Sequence, residues 1–305
     1  MQALAPIILF VYNRPEHTLR TLESLEANSL SADSDLYIFA DGPKRPEDKD
    51  LCEQIRRTRE VIHSKKWCRN VHVTESTVNK GLSVSVVEGV SAVIGKQGTA
   101  IVLEDDHVTS PYFLQFMNDA LLAYRDEQEV ACISGYIYPV KGKLPETFFL
   151  KGADCWGWAT WKDRWDLYRS DGQQLLEELE KKELNPAFDF DNTYPYTQML
   201  RDQIAGKNDS WAIRWYAAAF LAGKYCLYPG VSLVKNIGTD GSGIHSGFSD
   251  RHDVQLSQKK IRVEKIPVKE DRNAKESVKK YFTTLGAKPG MMKKIKDKIK
   301  SIVKK

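Results

Sequence analysis

Glu104-Asp105-Asp106 closes an apolar run, Thr99-Ala100-Ile101-Val102-Leu103, and so sets three carboxylates at a strand end, where the backbone is fixed. Carboxylate oxygens are hard ligands that select magnesium or manganese, and such ions keep waters and take only one or two carboxylates. A cation held there can bridge a diphosphate to an acidic protein surface. The same triplet also fits a solvated acidic turn, because short motifs recur by chance. Asp41, between Leu36-Tyr37-Ile38-Phe39-Ala40 and Gly42-Pro43, is either an acceptor for a base imide or ribose hydroxyl or an ordinary turn-capping aspartate. Arg14 and Lys80 bring positive charge near helix N-termini, where anions are already favoured, although each also suits a solvated surface. His245 lies in Gly241-Ser242-Gly243-Ile244-His245-Ser246-Gly247. A glycine-rich segment of that kind can close over a ligand and bring an imidazole to a metal or diphosphate, or can simply carry a surface histidine.

These side chains need a frame, and the hydrophobic pattern supplies one. Ile7-Ile8-Leu9-Phe10-Val11-Tyr12 is a continuous apolar run, as expected of a strand buried on both faces. Asn13-Arg14-Pro15 follows. Asn13 can cap a helix and Pro15 suits its first turn, after which Leu19, Leu22 and Leu25 recur at helical spacing. The unit repeats with a strand at Leu36–Ala40, a helix over 47–64, a strand at Val71-His72-Val73, and a helix opened by Asn79-Lys80-Gly81 that runs through Val84, Val87, Val90 and Val93. The strand at 99–103 is the fourth. Strands alternating with helices predict an α/β fold, a Rossmann-like, mostly parallel sheet flanked by helices. Ligands of such sheets sit beyond the carboxyl ends of the strands, which is where Arg14, Asp41 and residues 104–106 fall. A further helix is expected from Ser110-Pro111 through Phe113, Phe116, Met117, Ala120 and Leu121. From about 130 to 245 the chain is aromatic and glycine-studded and holds six of its seven tryptophans. Aromatic faces stack on sugar rings but are more often core, so most of the six are expected to be structural, with Trp156 or Trp158 near an acceptor. Residues 250–290 are polar and irregular and read as a linker or loose extension.

The 305 residues, 42% hydrophobic and 28% charged, can bury a substantial core and exclude a disordered or fibrous chain. No stretch approaches the roughly 20 apolar residues of a membrane span, and Met1–Pro6 has no basic leader, so a cytoplasmic location is expected. Five cysteines without C-x-x-C spacing support neither a disulfide frame nor a zinc site. The net charge of +4 is concentrated in residues 291–305, which carry seven lysines and one aspartate; the remainder is mildly acidic. That distribution argues against nucleic acid as a partner. Met291, Met292, Ile295, Ile299, Ile302 and Val303 line one face of a basic amphipathic helix, the pattern of a segment lying on an anionic membrane surface or of a solubilising terminus.

Taken in order, Phe10-Val11-Tyr12-Asn13-Arg14-Pro15, Asp41-Gly42, Asn79-Lys80-Gly81 and Glu104-Asp105-Asp106 resemble the donor half of GT-A glycosyltransferases. The triplet is similar to their DxD-type metal motif, especially the Glu-Asp-Asp of the N-acetylglucosaminyltransferase I group. Cys155-Trp156-Gly157-Trp158-Ala159-Thr160-Trp161, Asp209-Ser210-Trp211-Ala212-Ile213-Arg214-Trp215, Asn236-Ile237-Gly238 and His245 resemble bacterial family-2-type transferases of surface-polysaccharide clusters. The likeness covers residues 5–247. It implies a donor half (1–110), an acceptor and catalytic half (111–248) of the same domain, and an extension with a basic helix (249–305).

It further implies a nucleotide-sugar donor, UDP-linked, bound by Tyr12, Arg14 and Asp41 with Lys80 near the ribose or phosphates. Manganese or magnesium would be held chiefly by Asp106, with His245 able to reach it and with Asp105 and Glu104 near the sugar or ribose. Asp209 would be the base that deprotonates an acceptor hydroxyl on a glycan or lipid-linked glycan, giving inversion; its alternative is a helix N-cap. The Arg-Trp ending of 211–215 resembles the QxxRW motif of processive synthases. Trp211 replaces the glutamine, however, and membrane spans are missing, so a processive synthase is not expected. A sugar nucleotidyltransferase would carry a glycine-rich loop after the first strand, and a non-catalytic glycan-binding protein would not need the acidic triplet together with Asp209.

Overall fold

The computed structural model describes residues 4–240 and 250–286. Its first half alternates as the sequence pattern requires: β1 (Ile7–Val11), α1 (Pro15–Glu26), β2 (Asp35–Ala40), α2 (Lys49–His63), β3 (Asn70–Glu75), α3 (Leu82–Gln97) and β4 (Thr99–Glu104). β1 is buried at all five positions and divides its side chains by the period of two: Ile7, Leu9 and Val11 enter the core on one face, Ile8 and Phe10 the core on the other. Large apolar side chains buried in this way each contribute about 1.5–3 kcal/mol. β1 lies between β2 and β4, and β3 flanks β2, with all these pairings parallel. Val11 stands opposite Ala40 and Phe10 opposite Glu104, so the loops leaving β1, β2 and β4 emerge together at one edge. α1 starts at Pro15, as expected, but its N-cap is Arg14 with no side-chain bond; Asn13 does not cap it.

The second half contributes β5 (His107–Thr109), α4 (Phe113–Ala123), β6 (Val130–Ser134), β7 (Thr147–Lys151), β8 (Trp158–Trp161), α5 (Lys162–Trp165), α6 (Gly172–Lys181), α7 (Asn185–Phe188), α8 (Tyr196–Ile204), α9 (Trp211–Leu221), β9 (Tyr225–Pro229) and β10 (Val234–Asn236). Four of these strands extend the sheet to the order β3-β2-β1-β4-β8-β6-β9-β7, with β8 antiparallel to both β4 and β6. β5 and β10 form a separate antiparallel ribbon that places Asn236 opposite His107. Gly157 adopts a positive φ of 60°, and a methyl there would press on Val234, so the glycine of the Cys155–Trp161 run lets the ribbon approach β8.

Residues 250–286 are neither a linker nor loose. Ile261 is buried, Ser257 N donates to Ser232 O at 2.8 Å, and Ile266 N donates to Tyr124 Oη at 2.9 Å. α10 (Arg272–Gly286) buries Ala274, Val278 and Phe282, spaced by four residues along one narrow stripe. The residues beyond 286, including the basic stretch 291–305, lie outside the described residues, as does His245. Among the described residues no helix is long and apolar enough to cross a membrane.

Candidate active site

β4 ends at Glu104 and β5 begins at His107, so Asp105 and Asp106 occupy the turn between them. Both are nearly withdrawn from solvent, with 4% and 8% exposure. Two buried carboxylates side by side require a cation, and Arg14 at the head of α1 supplies it. Its guanidinium donates to both oxygens of Asp105, with Nε 3.3 Å from Oδ2, and Nη2 lies 3.0 Å from Asp106 Oδ2. Burial opposes the arginine charge, but the two aspartates more than offset this and raise its pKa. Burial also raises the Asp105 carboxyl against the pull of Arg14. Glu104 is pushed up to about 8 by burial and by the adjacent Asp106 and Asp105, with the Trp211 indole donating to it.

His107, which the sequence reading passed over, completes this corner. Its Nδ1 accepts from Glu104 N at 3.1 Å, and burial drives its pKa down to about 4. The ring is therefore neutral with its proton on Nε2, an otherwise unpartnered atom 3.5 Å from Asp106 Oδ1. From β10, Asn236 Nδ2 lies 3.4 Å from the same oxygen, and Ile237 N donates to Asp106 O at 2.8 Å. Gly238 packs so closely that a methyl on it would overlap Asp106 Oδ2 and lie 2.8 Å from Arg14 Nη1. The Asn236-Ile237-Gly238 run thus meets the acidic triplet. Among the described residues no three His, Cys, Asp or Glu side chains gather as a metal cluster. Two adjacent hard carboxylates still fit a magnesium or manganese ion, which takes one or two of them and fills its shell with water and phosphate oxygens.

The other predicted residues divide. Asp41 differs from its expected role as a base or ribose acceptor. Its oxygens accept from Gly42 N at 2.9 Å, Lys80 N at 2.9 Å, Gly81 N at 2.9 Å and Asn79 Nδ2 at 3.0 Å. A carboxylate has about four acceptor positions, so Asp41 is spent on clamping the turn that starts α3. Lys80 Nζ pairs with Glu88 Oε2 at 2.7 Å on an exposed face, and Tyr12 Oη accepts from Lys44 N at 3.2 Å. Asp209 approaches this clamped turn. Its Oδ2 lies 3.7 Å from where a Cβ on Gly81 would stand, and its Oδ1 is 3.9 Å from Arg214 Nη2. Buried Arg214 ties the start of α9 to that of α3, donating to Ser210 O at 3.2 Å, to Ser170 O at 3.1 Å and to Ser83 Oγ.

Trp158 was expected near an acceptor, but it is wholly buried on β8 and packs against Trp165, Trp211 and Trp215 at centroid distances of 5.5–6.0 Å. It supports the site from beneath. Trp156 is half-buried and meets Tyr136 and His252 edge-on. Next to it, Asp154 accepts from Cys155 N at 2.6 Å and from Tyr228 Oη at 3.2 Å. Burial nonetheless pushes this carboxyl up to about 6. The fold thus binds this proton more tightly than the unfolded chain does, so the stability it adds is complete below the unfolded value near 3.8 and is lost as pH rises through about 6. The Tm of wild type minus that of Asp154→Asn is expected to fall between pH 4 and 6 and to stay level above; a flat difference across that window would show that Asp154 titrates normally.

The family model for glycosyl transferase family 2 matches residues 7–178, more than half of the chain. No curated protein matches. Among solved structures, the chain is similar to a UDP-glucose pyrophosphorylase complexed with UDP-glucose, at 11% identity and a TM-score of 0.37 over 75% of this chain and 91% of that one. It is similar to the mannosyltransferase PcManGT from Pyrobaculum calidifontis in complex with GDP-Man and Mn2+, at 10% identity and a TM-score of 0.34 over 72% and 71%. It is also similar to S. aureus TarS, at 13% identity and a TM-score of 0.29 over 48% and 24%.

Proposed function

The chain belongs to glycosyl transferase family 2, and from that premise we propose that it is an inverting, cation-dependent glycosyltransferase moving a sugar from a UDP-linked donor to a glycan hydroxyl. The observation that carries this reading is the buried Arg14–Asp105–Asp106 cluster at the carboxyl edge of the parallel strands, with Asp209 nearby across the Asn79–Gly81 turn. Asp106 would hold the cation and Asp105 the donor sugar or ribose. When bound, the cation neutralises charge that develops on the departing diphosphate. Arg14, paired with both aspartates, would exchange a carboxylate partner for phosphate oxygens of the donor, a geometry that a planar guanidinium matches well. Asp209, whose side chain is exposed, takes the acceptor proton as the hydroxyl attacks the anomeric carbon from the face opposite the diphosphate. Asp41 serves by fixing the Lys80 and Gly81 main chain beneath the donor. The same reading gives residues 291–305 the task of meeting an anionic bilayer, where a lipid-linked acceptor of a bacterial surface polysaccharide would lie.

The test is calorimetric titration of the full chain with UDP, with manganese and then with EDTA. Binding that requires manganese and disappears with the chelator is the expected result, followed by release of UDP, not pyrophosphate, during turnover of a UDP-sugar. UDP binding indifferent to EDTA would overturn the cation's role, and pyrophosphate release would overturn glycosyl transfer.

A further inference from the structure

Behind Asp209, the first residues of α9 border a cavity of about 110 Å³ that none of the roles above uses. It is lined by Tyr138, Tyr196, Tyr216 and Tyr228, by Asp154 and Lys151, and by Ser210, the residue after Asp209. Tyr196 and Tyr216 have ring centroids 4.7 Å apart, the Tyr138 and Tyr196 hydroxyls lie 3.3 Å from each other, and the Tyr216 hydroxyl donates to Phe188 O. Asp154 receives three donors, Cys155 N and, at 3.4 Å, Trp156 N on Oδ1, and the Tyr228 hydroxyl on Oδ2. A carboxylate offers about four acceptor positions, so one on Oδ2 is open. Asp154 is the one carboxylate in the lining; Lys151 adds a cation, the tyrosines add rings and hydroxyl groups, and Leu150, Met199 and Ile213 add aliphatic surface.

That combination suits a ligand with hydroxyl groups at its edge and C–H groups on its faces. A cavity of roughly 150 Å³ takes one six-membered ring, so this one of about 110 Å³ admits only the edge of a single ring. We propose that the cavity is a subsite for the edge of one pyranose ring of the acceptor glycan, with Asp154 accepting from a ring hydroxyl and the tyrosine hydroxyls beside it. The assignment to the acceptor rests on the glycosyltransferase reading. It makes the Tyr138–Asp154–Tyr196 cavity a determinant of which sugar receives the transfer.

Saturation-transfer NMR of the full chain with the methyl glycopyranosides of glucose, galactose, mannose and N-acetylglucosamine tests it, with the manganese-dependent UDP titration run in parallel on each variant. At least one glycoside is expected to bind, about tenfold or more weakly to Asp154→Asn and measurably more weakly to Tyr196→Phe, which removes a hydroxyl and keeps the ring. UDP affinity is expected to be unchanged in both. Absence of any glycoside signal, or equal binding by wild type and both variants, overturns the subsite while UDP binding upholds the donor reading. Glycoside binding that depends on Asp154 in a protein that never binds UDP has the reverse meaning: the subsite stands and the donor assignment fails. Loss of UDP affinity in folded Asp154→Asn would place the cavity in the donor site and overturn the proposal.

Discussion

Asp106→Ala is expected to abolish manganese-dependent UDP binding and to lower kcat/KM for a UDP-sugar by about 10³-fold. Asp106 is where several elements converge: Arg14 from the head of α1, Asn236 and Gly238 from the end of β10, and His107 from β5. Removing its carboxylate frees Arg14 to pair with Asp105 alone, so the corner loses its spare negative charge as well as a ligand oxygen. Asp106→Asn retains the shape and the contact to Asn236 but not the charge, and should lose cation dependence nearly as completely. Gly238→Ala, which leaves every carboxylate in the sequence but thrusts a methyl at Asp106, is expected to weaken manganese-dependent binding by about 10- to 100-fold. Calorimetry with and without EDTA, on variants whose Tm matches wild type, reads all three. EDTA-sensitive UDP binding that survives in Asp106→Ala would remove this residue from the cation site.

The part of this arrangement legible in the sequence is the part set by local pattern. Unbroken apolar runs mark β1 and β4, buried on both faces, and β2, which alternates between buried and half-buried, so these strands and the polar residues at their ends could be read directly. β6, β7 and β9 escaped because they are short, five-residue strands set among aromatic loops and carry no strict alternation. α10 escaped because a stripe of only Ala274, Val278 and Phe282 is diluted by lysines and threonines. Asp41 shows a deeper limit. A turn aspartate that clamps a loop some forty residues away looks the same in one dimension as one that awaits a ligand, and only the Asn79, Lys80 and Gly81 donors tell them apart. His107 had a visible signal in its place directly after the acidic triplet, but its neutral state and its aim at Asp106 come from burial, which the sequence does not display. Trp158 was misread for the converse reason: in a run of three tryptophans at alternate and third positions, strand β8 decides which of them is core.

For Asp209→Asn the expected result is a loss of about 10²- to 10⁴-fold in kcat with UDP affinity unchanged. The competing account, that Asp209 caps α9, predicts a loss of stability instead. The capping bond belongs to its neighbour: Ser210 Oγ accepts from Ile213 N at 3.2 Å, while Asp209 stands outside the helix with 62% of its side chain exposed. An exposed carboxylate 3.9 Å from Arg214 is held loosely enough to approach a substrate, and converting it to the amide removes a proton acceptor without disturbing the cap. Its neighbours in sequence make suitable controls. Asp202 is occupied by Lys207 and Gln198, and Asp191 by Lys275 and Lys279, so their asparagine variants should keep turnover within a few-fold of wild type. Steady-state kinetics and UDP titration of the three variants separate the possibilities. A kcat in Asp209→Asn equal to that of the controls would transfer the base's role to another group, whereas a fall in Tm with unaltered kcat per folded molecule would return Asp209 to a structural part at the start of α9.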